Sequence, residues 1–174
     1  MAGNVVFKDF SMEVIAEIDE ATIAALYEAA AEITSQAQRT CQMDDDAGKI
    51  LKGSYDNRVD ESNGTATVGT AREEGYWEEF GTGEHADTAK NGGKPGRQGW
   101  WVYVKGQDAR AKVSAEYRDK DEAEAVAESM RADGLDAYAT NGRDPHYTLE
   151  RAFESKAEWV QDRFDKELKE RLDE

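Results

Sequence analysis

The sequence has a single cysteine, Cys41. One thiol forms no intramolecular disulfide and no thiolate metal cluster, which fits a reducing site of synthesis. Long apolar runs are missing as well: no stretch approaches the roughly 18 apolar residues of a membrane helix. Met1 to Phe10 lacks the basic head and apolar run of a signal peptide. We therefore expect a soluble chain made in a cytoplasm, with no membrane partner. Basic residues are the third shortage: 22 Lys and Arg stand against 38 Asp and Glu, a formal net charge of -16. Gripping nucleic acid needs clustered Lys and Arg to neutralise phosphate, so that class is disfavoured. Binding to anionic membranes is disfavoured for the same reason. A surface past which DNA slides without being held is still compatible with this charge.

Catalytic signatures are also scarce. The two histidines, His85 and His146, lie in no recognisable nucleophile motif, and Gly-x-Ser-x-Gly is absent. Both read as exposed surface histidines. Asp44-Asp45-Asp46 fails as a calcium loop of the EF-hand type, because the sixth position is Lys49 instead of glycine. Gly92-Gly93-Lys94-Pro95-Gly96 fails as a phosphate loop, because Pro95 stands where Ser or Thr must follow the lysine. No catalytic, metal or cofactor residues are assigned.

What is present suits one folded domain spanning residues 1–174, with 39% hydrophobic residues. Imperfect alternation over residues 10–18 predicts a strand. Ile23, Leu26, Tyr27, Ala30, Ile33, Ala37 and Cys41 recur at helical spacing. They predict a helix over about 20–41, with Asp19 as its N-cap. Residues 43–54 read as a polar turn with an apolar pair, Ile50 and Leu51. Residues 55–61 and 65–70 read as a hairpin turning at Ser62-Asn63-Gly64. Residues 81–99, rich in glycine, read as a flexible loop. Trp100 to Val104 reads as a buried strand. A short inserted helix is predicted over 121–134, with Ala123, Val126, Ala127 and Met130 inward and Gly134 closing it. Leu135 to Thr140 reads as a strand and Asn141-Gly142 as a turn. Asp144-Pro145 signals the start of a last helix, whose apolar positions run from Leu149 through Val160 to Leu172. At 1.5 Å per residue that helix is roughly 40 Å long, and its distal end is a candidate to meet a neighbour. The expected class is α+β: a small mixed or antiparallel sheet packed against long N-terminal and C-terminal helices, with a glycine-rich loop.

Gly75-Tyr76-Trp77-Glu78-Glu79-Phe80-Gly81-Thr82-Gly83 is the most informative segment. Adjacent carboxylates diverge on a strand and point about 100° apart on a helix, so a shared acid–base site is not expected. An aromatic element filling the core and ended by glycines is the plainer reading.

Trp77 to Gly83 also resembles the aromatic–Glu–Phe/Leu–Gly–Thr–Gly signature of the HK97 gp10-like family of tailed-phage neck (head–tail connector, tail completion) proteins. Other resembling segments fall in the family's order. They are Cys41 with Asp44, Gly48, Leu51 and Ser54; Val68-Gly69-Thr70; Gly99-Trp100-Trp101-Val102-Tyr103; Thr140-Asn141-Gly142 with Pro145; and Leu149 with Ala152-Phe153. Gln42 and Ala47 depart from the family's usual Pro and Thr. The resemblance implies a virion structural protein without catalytic residues: a homo-oligomeric ring joining head to tail. Its implied partners are other neck, connector and tail proteins, and DNA passes through the channel without specific binding. The signature positions it marks for assembly are Tyr76, Trp77, Glu79, Phe80, Gly81, Thr82, Gly83, Trp101, Pro145 and Phe153. A monomeric prophage-encoded binding module is the competing reading, and a small acidic hydrolase a remoter one.

Overall fold

Alanine sets how the first long helix packs, since it favours the helix and lets neighbours approach closely. The computed structural model describes residues 11–13, 20–43, 46–105 and 116–172. Among these residues the class is α+β, with five helices and short antiparallel strands. They form two compact units: one from the residues up to Glu79 together with Tyr147 onward, the other from Phe80 to His146.

In the first unit, α1 (Glu20–Thr40) buries Ala25, Ala29, Ala30 and Ala37 along with Leu26 and Ile33. This band is broader than the expected stripe because α1 is covered on two sides. The strands β2 (Asp56–Asp60) and β3 (Thr65–Gly69) pack on one, and the last helix, α5 (Thr148–Leu172), on the other. Tyr27, expected inside, is instead exposed, and its hydroxyl donates to Glu61 at 2.9 Å. The sheet has the order β1-β3-β2, with β1 (Ser11–Glu13) set antiparallel on β3. The remainder of the strand expected over 10–18 lies outside the described residues, as do Asp19, Asp44 and Asp45. Ala66 and Val68 of β3 point inward. Asn57 Nδ2 donates to Thr34 on α1 at 3.0 Å, and Gln38 Nε2 donates to the Tyr55 carbonyl at 3.2 Å. The expected hairpin forms between β2 and β3, its turn held by the Asp60 carboxylate, which accepts from Ser62 and Asn63. Part of the expected polar turn at 43–54 is instead a helix, α2 (Asp46–Lys52), which buries Leu51 and leaves Ile50 exposed.

α5 runs antiparallel to α1 along a ladder of ion pairs. Lys156 meets Glu32 at 2.7 Å, and Arg163 meets Glu28 at 2.5 Å and also pairs with Glu167. The Arg163 guanidinium holds the Glu28 carboxyl below the usual range, and Lys156 does the same for Glu32. Leu149, Ala152 and Val160 are buried, while Leu168 is exposed.

The second unit is built on β5 (Trp101–Val104) and β6 (Ala137–Thr140), paired antiparallel, with α4 (Lys120–Ala132) packed on them. Val102, Val104, Ala123, Ala127 and Ala137 form its core, and Val126 and Met130 pack against it as the stripe predicts. Burying each valine contributes about 1.5–3 kcal/mol. The segment expected as a buried strand is buried on one face only. Tyr103 points outward and stacks on Tyr138, ring centres 5.5 Å apart. The start of α4 is set by Asp119, whose carboxylate accepts from Glu122 N at 2.9 Å. Its end closes as expected at Gly134, with Leu135 N bonded to Met130 O and Gly134 N to Arg131 O. The strands β4 (Thr82–Gly83) and β7 (Gly142–Arg143) make a second short ladder.

Gly83 and Gly134 both have positive φ but different surroundings. A β-carbon at Gly134 meets nothing within 4 Å, whereas one at Gly83 collides with the Asn141 carbonyl and comes 2.6 Å from the Trp101 ring. Gly134→Ala is expected to destabilise by about 1 kcal/mol, from backbone strain alone. Gly83→Ala adds overpacking and is expected to lose about twice that or more. Urea denaturation followed by near-ultraviolet circular dichroism checks the order of the two.

Candidate functional site

The signature segment folds mainly as α3 (Glu73–Phe80). The expectation that its aromatics fill the core holds for Phe80 alone. Glu78 and Glu79 are 0% and 3% exposed, Phe80 is also buried, and Tyr76 and Trp77 are only half-buried. The carboxylates sit inside because each meets specific donors. Glu79 accepts Leu149 N at 2.7 Å and Glu150 N at 3.1 Å, two of the orphan N–H groups that open α5. Glu78 Oε1 accepts Gln42 N at 2.7 Å, just beyond α1, and the Thr148 hydroxyl at 3.1 Å. The two side chains diverge as adjacent helical residues must. One holds the start of α5, and the other spans the end of α1 and the first residue of α5.

This arrangement replaces the expected helix start. α5 begins at Thr148, three residues after Pro145. The residue before it, Tyr147, has φ 51 and donates its N–H to the Glu79 carbonyl at 3.3 Å. Tyrosine offers no short oxygen to cap the helix, so a carboxylate 70 residues away does so. A negative charge at this end is also favoured by the helix dipole. Cys41 and Tyr55 are buried in the same unit. Burial raises the Cys41 thiol and the Tyr55 hydroxyl above their ordinary pKa, and the nearby Glu78 charge adds to both shifts.

The other signature residues gather in the second unit. A β-carbon on Gly81 would come within 2.9 Å of Pro145 N, and Gly83 lies under the Trp101 ring. Thr82 pairs with Arg143 and accepts its N–H on Oγ1 at 3.1 Å. Phe153 sits half-buried on α5 in the first unit. Gly81, Thr82, Gly83, Trp101 and Pro145 are therefore brought together, and Glu79 is placed on the start of α5.

A polar cluster that sequence reasoning missed lies beside β4 and β7. His85 Nδ1 is 2.8 Å from Asp144 Oδ1, and its Nε2 is 3.2 Å from Asn141 Oδ1. Asn141 is oriented by donating Nδ2 to Glu84 at 3.1 Å, and Glu84 also accepts Gly99 N at 3.0 Å. Both imidazole nitrogens thus face acceptors, which favours the doubly protonated ring. Asp144, and then Asn141, raise the His85 pKa above its ordinary value. His85 is exposed, as the sequence reading has it; His146 is half-buried and lies 3.3 Å from Arg143. The only sequence trace of the cluster is Glu84 standing beside His85.

Among the described residues no group of three or more His, Cys, Asp or Glu is placed to hold a metal ion. Nor is any helix among them long and apolar enough to cross a membrane. Compared with known family models, curated proteins and solved structures, the chain matches none.

Two outcomes are expected here. Glu79→Ala leaves the buried Leu149 N–H and the partly buried Glu150 N–H without their acceptor and is expected to destabilise by about 2–4 kcal/mol. Glu154→Ala, on the exposed face of α5, is expected to change stability by less than about 0.5 kcal/mol; chemical denaturation compares them. His85 is expected to titrate above about 6.5, and Asp144→Asn to bring it back down, as followed by proton NMR of the ring. Because the folded value is raised, the stabilisation from this contact is full below the unfolded pKa. It is lost as pH rises through the folded one.

Proposed function

We propose that this chain is a ring-forming structural subunit of a tailed-phage neck, joining the head to the tail through other connector and tail proteins. One observation carries the reading. The segment most like the neck-family signature, Trp77 to Gly83, is spent on holding the fold together. Its two carboxylates are bound to helix ends, and its glycines fit under Pro145 and Trp101. Residues used in this way support a part whose work is assembly. The net charge of -16 fits a subunit past which DNA is repelled and slides.

The test is reconstitution with purified portal and tail tube proteins of a tailed phage. The expected result is co-sedimentation with at least one of them and a ring visible by negative-stain electron microscopy. A chain that stays monomeric with both overturns the neck reading and favours a monomeric prophage-encoded binding module.

A further inference from the structure

Residues 84–99 leave β4 and return to β5 within the second unit, and side chains close the base of that excursion. On the return path Gly96 packs so tightly that a β-carbon there would fall on the Gly83 carbonyl. Glu84 makes a second tie. Its Oε1 accepts Gly99 N at 3.0 Å, and its Oε2 accepts Asn141 Nδ2 at 3.1 Å. Glu84 N also donates to the Asn141 carbonyl at 2.9 Å. One carboxylate therefore joins the start of the loop to its end and to the turn between β6 and β7.

Asn141 is the pivot, because the two arms of its amide face different neighbours. Oδ1 is 3.2 Å from His85 Nε2, while Nδ2 is directed at Glu84. Oδ1 only accepts and Nδ2 only donates. An ionised carboxylate only accepts, so Nδ2 must point to Glu84, and His85 Nε2 must then carry a proton. On the far side of the ring, Nδ1 lies 2.8 Å from Asp144 Oδ1, another acceptor, and needs a proton as well. The three contacts coexist only with both ring nitrogens protonated. A neutral ring has one proton to place. The shorter bond to the Asp144 carboxylate retains it, which leaves Nε2 as an acceptor. Asn141 then serves one neighbour only: turned to donate to His85, it sets Oδ1 against the Glu84 carboxylate.

The charged groups facing the ring are both negative. They are Asp144, just past β7, and Glu84, beside His85 in the chain. The cations of the adjoining segments are engaged elsewhere. Arg143 of β7 lies 3.3 Å from His146, and Arg97 of the returning loop stands over the Trp101 ring, 3.6 Å from Glu116.

We propose that His85 is a proton-controlled catch on residues 84–99. The protonated ring keeps Asn141 turned toward Glu84, and loss of the proton turns the amide and releases Glu84 from Gly99. The loop base is thus closed at acidic pH and opens as pH rises through the titration of the ring. The catch operates whether or not the chain is a neck subunit.

The test is NMR of the full chain from about pH 5 to about pH 9, a range that spans the titration of a histidine. The Gly99 amide and the Asn141 side-chain amide are expected to shift with the midpoint of the His85 ring. Exchange of the Gly99 N–H with water, corrected for its intrinsic pH dependence, is expected to rise by about tenfold as its hydrogen bond is lost. Leu135 N, bonded to Met130 O in the same unit, is expected to show no such step, which separates an opened loop from a loosened fold. Two variants remove the conflict in different ways. H85A takes away the competing acceptor, and E84Q supplies an amide that can donate to Asn141 Oδ1. Gly99 is expected to lose its step in both, and either variant that keeps Leu135 protected suffices for the comparison. A wild-type Gly99 that ignores the His85 midpoint overturns the inference. So does a step of undiminished size in a folded variant.

Discussion

The carboxylate of Glu79 on the first N–H groups of α5 is the contact on which the first unit depends. A 25-residue helix that begins in a buried position needs acceptors for its opening donors. The local chain supplies none, because the residue ahead of the helix is a tyrosine at φ 51. A buried carboxylate without donors is costly, and buried donors without an acceptor are costly too; placed together, each offsets the other. Glu78 extends the arrangement to the end of α1 through Gln42 and to Thr148. The last turn of α3 therefore fixes where one long helix stops and where the other starts. The ion pairs between them then need only hold the alignment.

The two sides of α5 divide the electrostatics. Toward α1 the helix offers Lys156 and Arg163 to glutamates. Away from α1 it keeps acids at four-residue spacing. A chain that used its acids only for solubility could scatter them, and scattered acids avoid repulsion along a helix. The second unit has its own balance: a turn rich in lysine, braced by Asn91, and a histidine held between Asp144 and Asn141.

Much of the fold was legible from local chemistry. Ser62-Asn63-Gly64 marked its hairpin because turn residues act within a few positions. Ala123, Val126, Ala127 and Met130 marked the face of α4, and Gly134 its end, for the same reason. Asp119 and Glu122 formed a readable cap signal that lay just ahead of the predicted start. Tyr27 misled because periodicity does not tell a core tyrosine from one whose hydroxyl reaches solvent and Glu61. The roles of Glu78 and Glu79 were not legible at all. Their donors lie up to 71 residues away, and nothing local distinguishes a buried carboxylate from a solvated one. The cluster at His85 was hidden in the same way, its partners being 56 and 59 residues distant.

The contact between Tyr147 N and the Glu79 carbonyl, at 3.3 Å, has a consequence for how the gene can change. It holds side by side the two points at which the chain leaves the first unit and re-enters it. To the first unit, everything from Phe80 to His146 is a single excursion between two neighbouring backbone groups. Loop-closure entropy grows only with the logarithm of length, about 0.6 kcal/mol per doubling. That excursion can lengthen, shorten or be exchanged for another at little thermodynamic cost to its host. The second unit is in this sense a cassette, and the residues flanking it, Glu79 and Tyr147, are the joints at which a different one can be spliced.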